Sequence, residues 1–262
     1  MPFAENEGLK IYYEFSEGKS PALVFVHGWT ANMNYWKEQR AYFEGKNAIL
    51  LIDNRGHGKS DKPKDYEYYR LEKFVSDLDA VIDSLKLSDF VLVGHSFGTM
   101  ISMKYCSEHP DKVKALVLVG GGTRIKTFHK FFYPISRFFS KINYKSSVKL
   151  VINLSFAKEA VELKEWALKQ VLENTPRYSA MNCYKTLTKI DLREVAKKIE
   201  KPTLIIVGEK DALLPVEKSK ELQKLIRNSK VVVIPKAGHC VQLEKPGIVN
   251  KEIEEFCAKF MG

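Results

Sequence analysis

The amino-acid sequence predicts an α/β fold, in which a doubly wound and mostly parallel β-sheet carries one helical insertion. Short, almost continuously apolar runs recur along the chain, as strands buried on both faces of a parallel sheet require. Segments with apolar residues every three or four positions lie between these runs, which is the pattern of amphipathic helices. With 262 residues, of which 45% are hydrophobic, the chain can bury one large core.

Seven runs have the composition of β-strands. Six of them are buried-strand patterns, at residues 22–28, 47–56, 90–96, 115–122, 203–211 and 230–235. The opening run, residues 9–15, alternates more between apolar and polar side chains, which predicts an antiparallel strand at the edge of the sheet.

Helical patterns fill the intervals between the strands. Residues 71–85 present one apolar face, and a final helix is expected to begin at Pro246. Residues 123–200 contain helical patterns but no clear strand. This predicts a core formed by residues 1–122 and 201–262, with residues 123–200 inserted as a helical lid at the strand-end face.

Composition narrows the class of protein. The four cysteines are scattered without disulfide or zinc spacing, which favours free thiols in a reducing compartment. The first ten residues lack a signal-peptide pattern, and no apolar run approaches the ~20 residues that span a bilayer. The expected location is therefore cytoplasmic.

Ser96 lies in an unusual local sequence, between Gly94 and Gly98 and directly after an apolar β-branched run. The absence of a Cβ at both glycines lets a strand and a following helix approach closely around a strained serine backbone. In a doubly wound sheet, ligands bind beyond the carboxyl ends of the strands, where this turn would lie. The pattern predicts that the turn presents Ser96 as a nucleophile.

A serine nucleophile needs a base, usually a histidine oriented by a carboxylate. His239 follows the last predicted strand, and Asp211 follows the strand before it, so both are expected at the same edge as Ser96. Two other interpretations remain open: His239 as a loop residue bonded to solvent, and Asp211 as the cap of a helix beginning near Pro215 or Val216. Glu209 is the rival carboxylate.

Attack on a carbonyl also requires donors for the negative oxygen that forms. We expect one from the backbone N–H of Phe97 and the other from the backbone N–H of Trp29, in the loop after the first buried strand.

Five motifs together resemble the α/β-hydrolase superfamily, specifically its compact serine esterase-like branch. They are HGW at 27–29, DNRGHGKS at 53–60, GHSFG at 94–98, GEKD at 208–211 and GH at 238–239. The resemblance implies the catalytic triad Ser96, Asp211 and His239. It also implies that His57 and His95 shape the site without transferring protons, and that His27 supports the oxyanion loop through hydrogen bonds. A buried, inert thiol is the expected state of Cys240.

Departures from relatives of the same fold narrow the predicted chemistry. A serine at position 96, where epoxide hydrolase and haloalkane dehalogenase relatives carry aspartate, argues against those activities. His95 stands where relatives that hydrolyse carbon–carbon bonds usually have asparagine. Thr30 stands where perhydrolase relatives usually have proline. Each departure favours ester hydrolysis.

The most unusual stretch lies in the insertion, where six apolar side chains fall on one helical stripe. They are Phe128, Phe131, Phe132, Ile135, Phe138 and Phe139. The first four are predicted to line a substrate pocket, with the stripe packed inward and a basic face in solvent. Contact of the same aromatic and basic residues with an anionic membrane surface is an alternative. Nucleic-acid binding is disfavoured, because a single stripe of phenylalanines is not arranged for base stacking. Pro134 predicts a kink or a second helix start.

The sequence therefore predicts a carboxylic ester hydrolase that takes a small-molecule substrate with an apolar acyl group and needs no metal or organic cofactor. The alternatives are a carbon–carbon bond hydrolase of the same fold and a ligand-binding receptor with an intact triad.

Overall fold

The computed structural model describes the backbone of residues 2–125 and 128–260, and the side chains of residues 2–125 and 133–260. Eight strands form one sheet in the order β1-β2-β4-β3-β5-β6-β7-β8. Their bounds are β1 Phe3–Asn6, β2 Leu9–Ser16, β3 Lys19–Val26, β4 Asn47–Ile52, β5 Phe90–His95, β6 Val113–Val119, β7 Thr203–Gly208 and β8 Ser229–Ile234. From β4 to β8 in this order, neighbouring strands run parallel, and β1 and β2 are antiparallel additions.

This sheet confirms the predicted fold class. Strand β2 is antiparallel to its neighbour β4, and the antiparallel direction is as predicted, but β2 is not the edge of the sheet. The short strand β1 lies outside it, pairing Phe3 with Tyr12, and was not predicted. Its four residues are too few to show an alternation pattern.

Eleven α-helices are described besides short 3₁₀ turns. Their bounds are α1 Lys37–Phe43, α2 Leu71–Ser84, α3 Phe97–Glu108, α4 Phe128–Ile142, α5 Tyr144–Ser155, α6 Val161–Asn174, α7 Arg177–Leu187, α8 Arg193–Lys197, α9 Val216–Leu225, α10 Val241–Glu244 and α11 Pro246–Cys257. None of the helices in the described part of the chain is both long and apolar enough to cross a membrane.

Helices cover both faces of the sheet, which explains why the strand sequences are almost continuously apolar. Along β3, Val24 and Val26 pack in the core layer that contains residues of α2 and α3. Leu23 and Phe25 pack on the opposite face, with residues of α1 and α11. Side chains alternate between the two faces of a strand, so each position must be apolar when both faces are buried.

Several strands end earlier than the sequence patterns indicate. Strand β4 ends at Ile52 and β7 at Gly208, whereas their apolar patterns extend to residues 56 and 211. The residues that follow form turns at the carboxyl edge of the parallel strands. This is the edge where the candidate site lies.

The five helices α4 to α8 lie between β6 and β7, and the described residues of this segment form no strand, as expected for the insertion. Helix α4 continues through Pro134. The division into a core and a lid as separate units stays a prediction.

The described end of the aromatic stripe on α4 does not pack inward as expected. Phe138 is 62% exposed and Phe139 is 60% exposed, while Ser140 is buried. Tyr133 packs on Tyr184 of α7, with ring centroids 5.7 Å apart. In this half of α4, Ser140 and Tyr133 therefore contact the protein, whereas Phe138 and Phe139 remain largely exposed.

Candidate active site

Ser96 occupies a tight turn between β5 and α3. Its backbone has φ 52° and ψ −115°, in the left-handed half of conformational space that non-glycine residues rarely adopt. A Cβ on Gly94 would lie 2.5 Å from the carbonyl oxygen of Gly98. A Cβ on Gly98 would lie 2.2 Å from the carbonyl oxygen of Val26 in β3. Both glycines are thus required for the close approach that holds Ser96 in this conformation.

His239 and Asp211 meet at the same edge of the sheet. The distance from Nδ1 of His239 to Oδ2 of Asp211 is 2.7 Å, and both side chains are almost fully buried. With Nδ1 donating to the carboxylate, the other ring nitrogen, Nε2, is the one that can accept a proton. The two residues come from separate loops, after β7 and after β8, that only the parallel sheet brings together.

The backbone also fixes the carboxylate of Asp211. Its Oδ1 accepts hydrogen bonds from the N–H groups of Leu213, at 2.9 Å, and Leu214, at 2.8 Å. Asp211 therefore closes a turn just before α9, close to the capping role that was the alternative interpretation, and contacts His239 with its other oxygen. The rival, Glu209, is exposed and accepts a hydrogen bond from the N–H of Lys236 instead.

Ser96 and His239 are linked through the end of β6. The N–H of Ser96 donates to the carbonyl of Val119, at 2.9 Å. The next residue, Gly120, has φ 57°, and a Cβ placed on it would lie 3.1 Å from Nδ1 of His239. His95, the neighbour of Ser96, contacts the carbonyl of His239 through Nε2, at 3.1 Å. The candidate nucleophile and the candidate base thus flank the same two residues.

Both predicted oxyanion donors lie beside Ser96. The N–H of Phe97 is the first of α3, where helix geometry leaves it without an intrahelical acceptor and the helix dipole is positive. Trp29 follows Gly28, and a Cβ on Gly28 would lie only 3.0 Å from the Cβ of Ser96. Among the residues that the structure describes, neither N–H donates to a backbone carbonyl, so both remain available.

Two buried histidines hold the Trp29 loop. His27 contacts the carbonyl of Gly28 through Nδ1 at 2.8 Å, and its Nε2 accepts the N–H of Asn54 at 3.0 Å. His57 accepts the N–H of Thr30 through Nε2, at 3.3 Å. Burial lowers the pKa of His57 to about 4 and that of His27 well below its usual value. Both rings are therefore neutral at physiological pH and serve as structural hydrogen-bonding groups.

The neighbouring segment 53–60 is fixed by buried hydrogen bonds and a buried ion pair. The carboxylate of Asp53 accepts the N–H groups of Met33 and Lys59, each at 2.8 Å. Arg55 is fully buried and forms a two-pronged ion pair with Asp77 of α2, with both N–O distances 2.6 Å. The DNRGHGKS motif at 53–60, one of the five that resemble the hydrolase family, is therefore a structural turn.

Sequence reasoning missed two connections between the site and the inserted helices. The indole Nε1 of Trp29 donates to the carbonyl of Ala180 in α7, at 2.8 Å, and its ring stacks on Tyr184. Glu244 accepts the N–H of Gly238 at 3.0 Å and that of Ala157 at 2.9 Å. These contacts connect the candidate oxyanion loop and the histidine loop to the insertion. The sequence carries no spacing signal for either contact.

Cys240 is buried beside His239, and burial raises the pKa of its thiol well above the usual value. A thiol held protonated is a poor nucleophile. The geometry agrees with an inert residue at this position.

An apolar cavity of about 400 Å³ lies between α4, α5, α7 and the Trp29 loop. Its lining includes Trp29, Ile135, Val148, Met181 and Leu213. Of the four residues predicted for the substrate pocket, Ile135 lies on this cavity. The side chains of Phe128, Phe131 and Phe132 lie outside the described residues.

The strained serine turn, the paired histidine and aspartate, and the strand order together define an α/β hydrolase. The chain belongs to this family: the family model described as alpha/beta hydrolase fold matches residues 21–246. The solved structure of an esterase from Exiguobacterium antarcticum superposes with a TM-score of 0.89 at 27% identity, covering 97% of this chain and 98% of that one.

Curated relatives have differing activities. Epoxide hydrolase 3 of Xenopus tropicalis is 27% identical over 282 residues, covering 96% of this chain and 76% of the relative. The pimeloyl-[acyl-carrier protein] methyl ester esterase of Wigglesworthia glossinidia brevipalpis is 28% identical over 257 residues, covering 91% of this chain and 94% of the relative. The protein therefore belongs to a family of hydrolases whose members cleave different bonds, and the bond that this protein cleaves depends on its own site.

Proposed function

We propose that the protein is a serine hydrolase that cleaves carboxylic esters with an apolar acyl group through an acyl-enzyme on Ser96. The observation that carries the proposal is the 2.7 Å contact between His239 and Asp211, in loops that flank the strained Ser96 turn. A buried imidazole oriented by a buried carboxylate is the arrangement that activates a serine hydroxyl.

In the first half of the reaction, Oγ of Ser96 bonds to the acyl carbon, and Nε2 of His239 takes the hydroxyl proton. The carbonyl oxygen becomes negative, and the N–H groups of Trp29 and Phe97 stabilise it. Such a donor is typically worth about 3 kcal/mol in the transition state. The bond to the alcohol oxygen then breaks, and His239 returns the proton to that oxygen.

In the second half, water replaces the alcohol. His239 takes a proton from the water as its oxygen bonds to the acyl carbon. The bond to Oγ breaks, Ser96 regains its proton, and the carboxylic acid leaves. The carboxylate of Asp211 orients His239 and stabilises the imidazolium in both halves.

The nucleophile type favours esters over the epoxides of some relatives. If a serine oxygen opened an epoxide, the product would be an ether, which has no carbonyl for water to attack, and the enzyme would remain blocked. On a carboxylic ester the same serine gives an acyl-enzyme that water can hydrolyse. The similarity to esterases at 27% and 28% identity supports this choice.

The cavity supports an apolar acyl group. Its volume of about 400 Å³ lies in the range of small-molecule sites, and apolar side chains dominate its lining. Trp29, which belongs to the candidate oxyanion loop, and Leu213, two residues after Asp211, are both part of this lining.

The test is covalent labelling with a fluorophosphonate probe, followed by turnover of p-nitrophenyl esters. The parent protein should be labelled, Ser96→Ala should not, and the control Ser107→Ala, on the same helix but outside the site, should be labelled like the parent. Turnover should rise from acetate to octanoate and fall again at palmitate. Labelling of Ser96→Ala would contradict the choice of nucleophile. Labelling without turnover would indicate a receptor, and cleavage of a vinylogous diketo acid in place of esters would indicate a carbon–carbon hydrolase.

A further inference from the structure

Helices α4 and α5 present an exposed apolar surface on the outside of the insertion. We define this α4–α5 apolar surface by six side chains: Ile135, Phe138, Phe139, Ile142, Leu150 and Leu154. All six are exposed, and the fractions reach 62% for Phe138, 67% for Ile142 and 63% for Leu150. Soluble domains seldom leave large apolar side chains clustered in water, and a cluster of this kind marks an interaction site.

The six side chains form one continuous patch. The rings of Phe138 and Phe139 contact each other with centroids 6.0 Å apart, and Ile142 follows one helical turn later. Ile135 and Phe139 of α4 line the same cavity as Leu150 and Leu154 of α5, so the two helices present their apolar residues side by side.

The two helices that carry this patch are also strongly basic. Arg137, Lys141, Lys145 and Lys149 lie on the same two helices, and all four are exposed. Within the described part of the chain, none of them forms an ion pair with a carboxylate. The sequence from residue 123 to residue 158 contains no aspartate or glutamate.

We propose that the α4–α5 apolar surface docks on an anionic phospholipid bilayer. Amphipathic helices with phenylalanine and leucine on one face and lysine and arginine on the other lie in the membrane interface. Their long basic side chains extend from the flanks to the phosphate layer, and each contributes about 1 kcal/mol near an anionic surface.

The charge distribution favours lipid over a second copy of the chain. A symmetric dimer through this face would bring the same patch of each copy together, and with it two sets of four unpaired basic side chains. Like charges at an interface oppose association, whereas anionic lipid headgroups neutralise them.

The docking surface is also continuous with the cavity, because Ile135, Phe139, Leu150 and Leu154 belong to both. If the cavity holds the acyl chain, an ester dissolved in lipid can enter it without crossing water. This last point rests on the proposed function, whereas docking itself does not.

The test is flotation of the full chain with vesicles of phosphatidylcholine alone and of an equimolar mixture with phosphatidylglycerol. We expect binding to the mixture that weakens with added salt, and little binding to phosphatidylcholine. Phe138→Gln/Ile142→Gln should weaken binding tenfold or more, because two apolar side chains no longer bury surface in the bilayer. A loss of about 1.4 kcal/mol in binding free energy corresponds to a tenfold loss in affinity. Lys141→Gln/Lys145→Gln should weaken binding to the mixture several-fold and make that binding less dependent on salt, with Arg137 and Lys149 still contributing the remaining dependence.

A matched control pair lies on α11, where Ile248 and Lys251 are also exposed. Ile248→Gln/Lys251→Gln should bind like the parent. All substituted side chains are exposed, so thermal midpoints should agree, which separates lost docking from lost folding. The parent failing to float with the mixture, or both α4–α5 variants binding like the control, would overturn the proposal. So would a dimer in solution that Phe138→Gln/Ile142→Gln dissociates. Running the experiment with Ser96→Ala protein as well keeps the result independent of catalysis.

Discussion

The carboxylate of Glu244 accepts a hydrogen bond from the N–H of Gly238, the residue immediately before His239. Its second oxygen accepts the N–H of Ala157, in the loop between α5 and α6. A single half-buried side chain therefore fixes the loop of the candidate base against the inserted helices. Removing it should alter the position of the imidazole as well as stability.

Replacing Glu244 should lower both stability and kcat. In Glu244→Gln the amide oxygen can accept a hydrogen bond from only one of the two backbone N–H groups. The amide nitrogen is itself a donor, so it would face the other N–H group without a hydrogen bond. We expect the free energy of unfolding to fall by about 1–2 kcal/mol for glutamine and by more for alanine. Urea denaturation and ester turnover measure the two effects. The control is Glu255→Gln on the surface of α11, and a Glu244→Ala variant that matched this control in kcat would contradict the positioning role.

The indole of Trp29 should matter through its contact with Ala180. Trp29→Phe keeps an aromatic ring against Tyr184 but removes the hydrogen bond from Nε1. The N–H of residue 29 would then be less well fixed for the oxyanion, which forms only in the transition state. We expect kcat to fall about tenfold, or ~1.4 kcal/mol in the barrier, with a smaller change in KM. Trp166→Phe on α6 is the matched control, and an equal loss of kcat there would show a general effect of tryptophan removal.

Acid should destabilise the fold through buried neutral histidines. Burial is the main cause that lowers the pKa of His95 from 6.5 to about 3. As the pH falls, the unfolded chain therefore binds a proton at His95 before the folded protein does. The stability that the neutral His95 contributes is fully present above pH 6.5 and is lost as the pH falls toward 3. At pH 5 the loss from one such group is about 2 kcal/mol.

The variant His95→Gln tests this origin, because its amide nitrogen can still donate to the carbonyl of His239. Its free energy of unfolding should depend less on pH between 7.5 and 5 than that of the parent, by about 2 kcal/mol. Urea denaturation at the two pH values measures the difference. Parallel pH dependences in the two proteins would place the acid sensitivity elsewhere.

Two glycines with similar backbones should respond very differently to alanine. Gly58 has φ 55°, and a Cβ there would lie 2.0 Å from Oδ2 of Asp53. Gly45 has φ 78°, and nothing lies within 4 Å of its added Cβ. Gly45→Ala should cost only the backbone strain, about 1 kcal/mol, whereas Gly58→Ala should cost at least 2 kcal/mol more because the Asp53 turn must move. Equal losses in a denaturation assay would contradict the steric argument.

The sheet, and the meeting of Asp211 and His239 at its edge, could be predicted because the signals are local. The run Val91-Leu92-Val93 is apolar at every position since both faces of β5 are covered, and the glycines around Ser96 mark a turn that other residues cannot form. Asp211 and His239 each follow a recognisable strand, so their shared edge followed from the fold class.

The connections across the insertion could not be predicted, because they join residues that are distant in sequence. Glu244 contacts Ala157, 87 residues away, and no periodic pattern connects them. The outward orientation of Phe138 was missed for another reason. Helical periodicity shows which side chains share a face, but not whether that face meets the protein or its surroundings, and the buried side of α4 is formed by Ser140 and Tyr133.

At residue 96, thermal stability and the proposed reaction favour different residues, because a side chain in the left-handed conformation costs stability whereas the reaction needs the serine hydroxyl. A side chain in this conformation costs roughly 1–3 kcal/mol of stability, and glycine avoids that cost. Glycine also makes the unfolded chain more disordered, which lowers stability by about 0.5–1 kcal/mol, so the net change still favours glycine. A library of variants selected only for surviving high temperature would therefore be enriched in Ser96→Gly, a folded protein without the hydroxyl. Any effort to make this protein more durable must select for turnover at the same time, or it will discard the hydroxyl on which the proposed reaction depends.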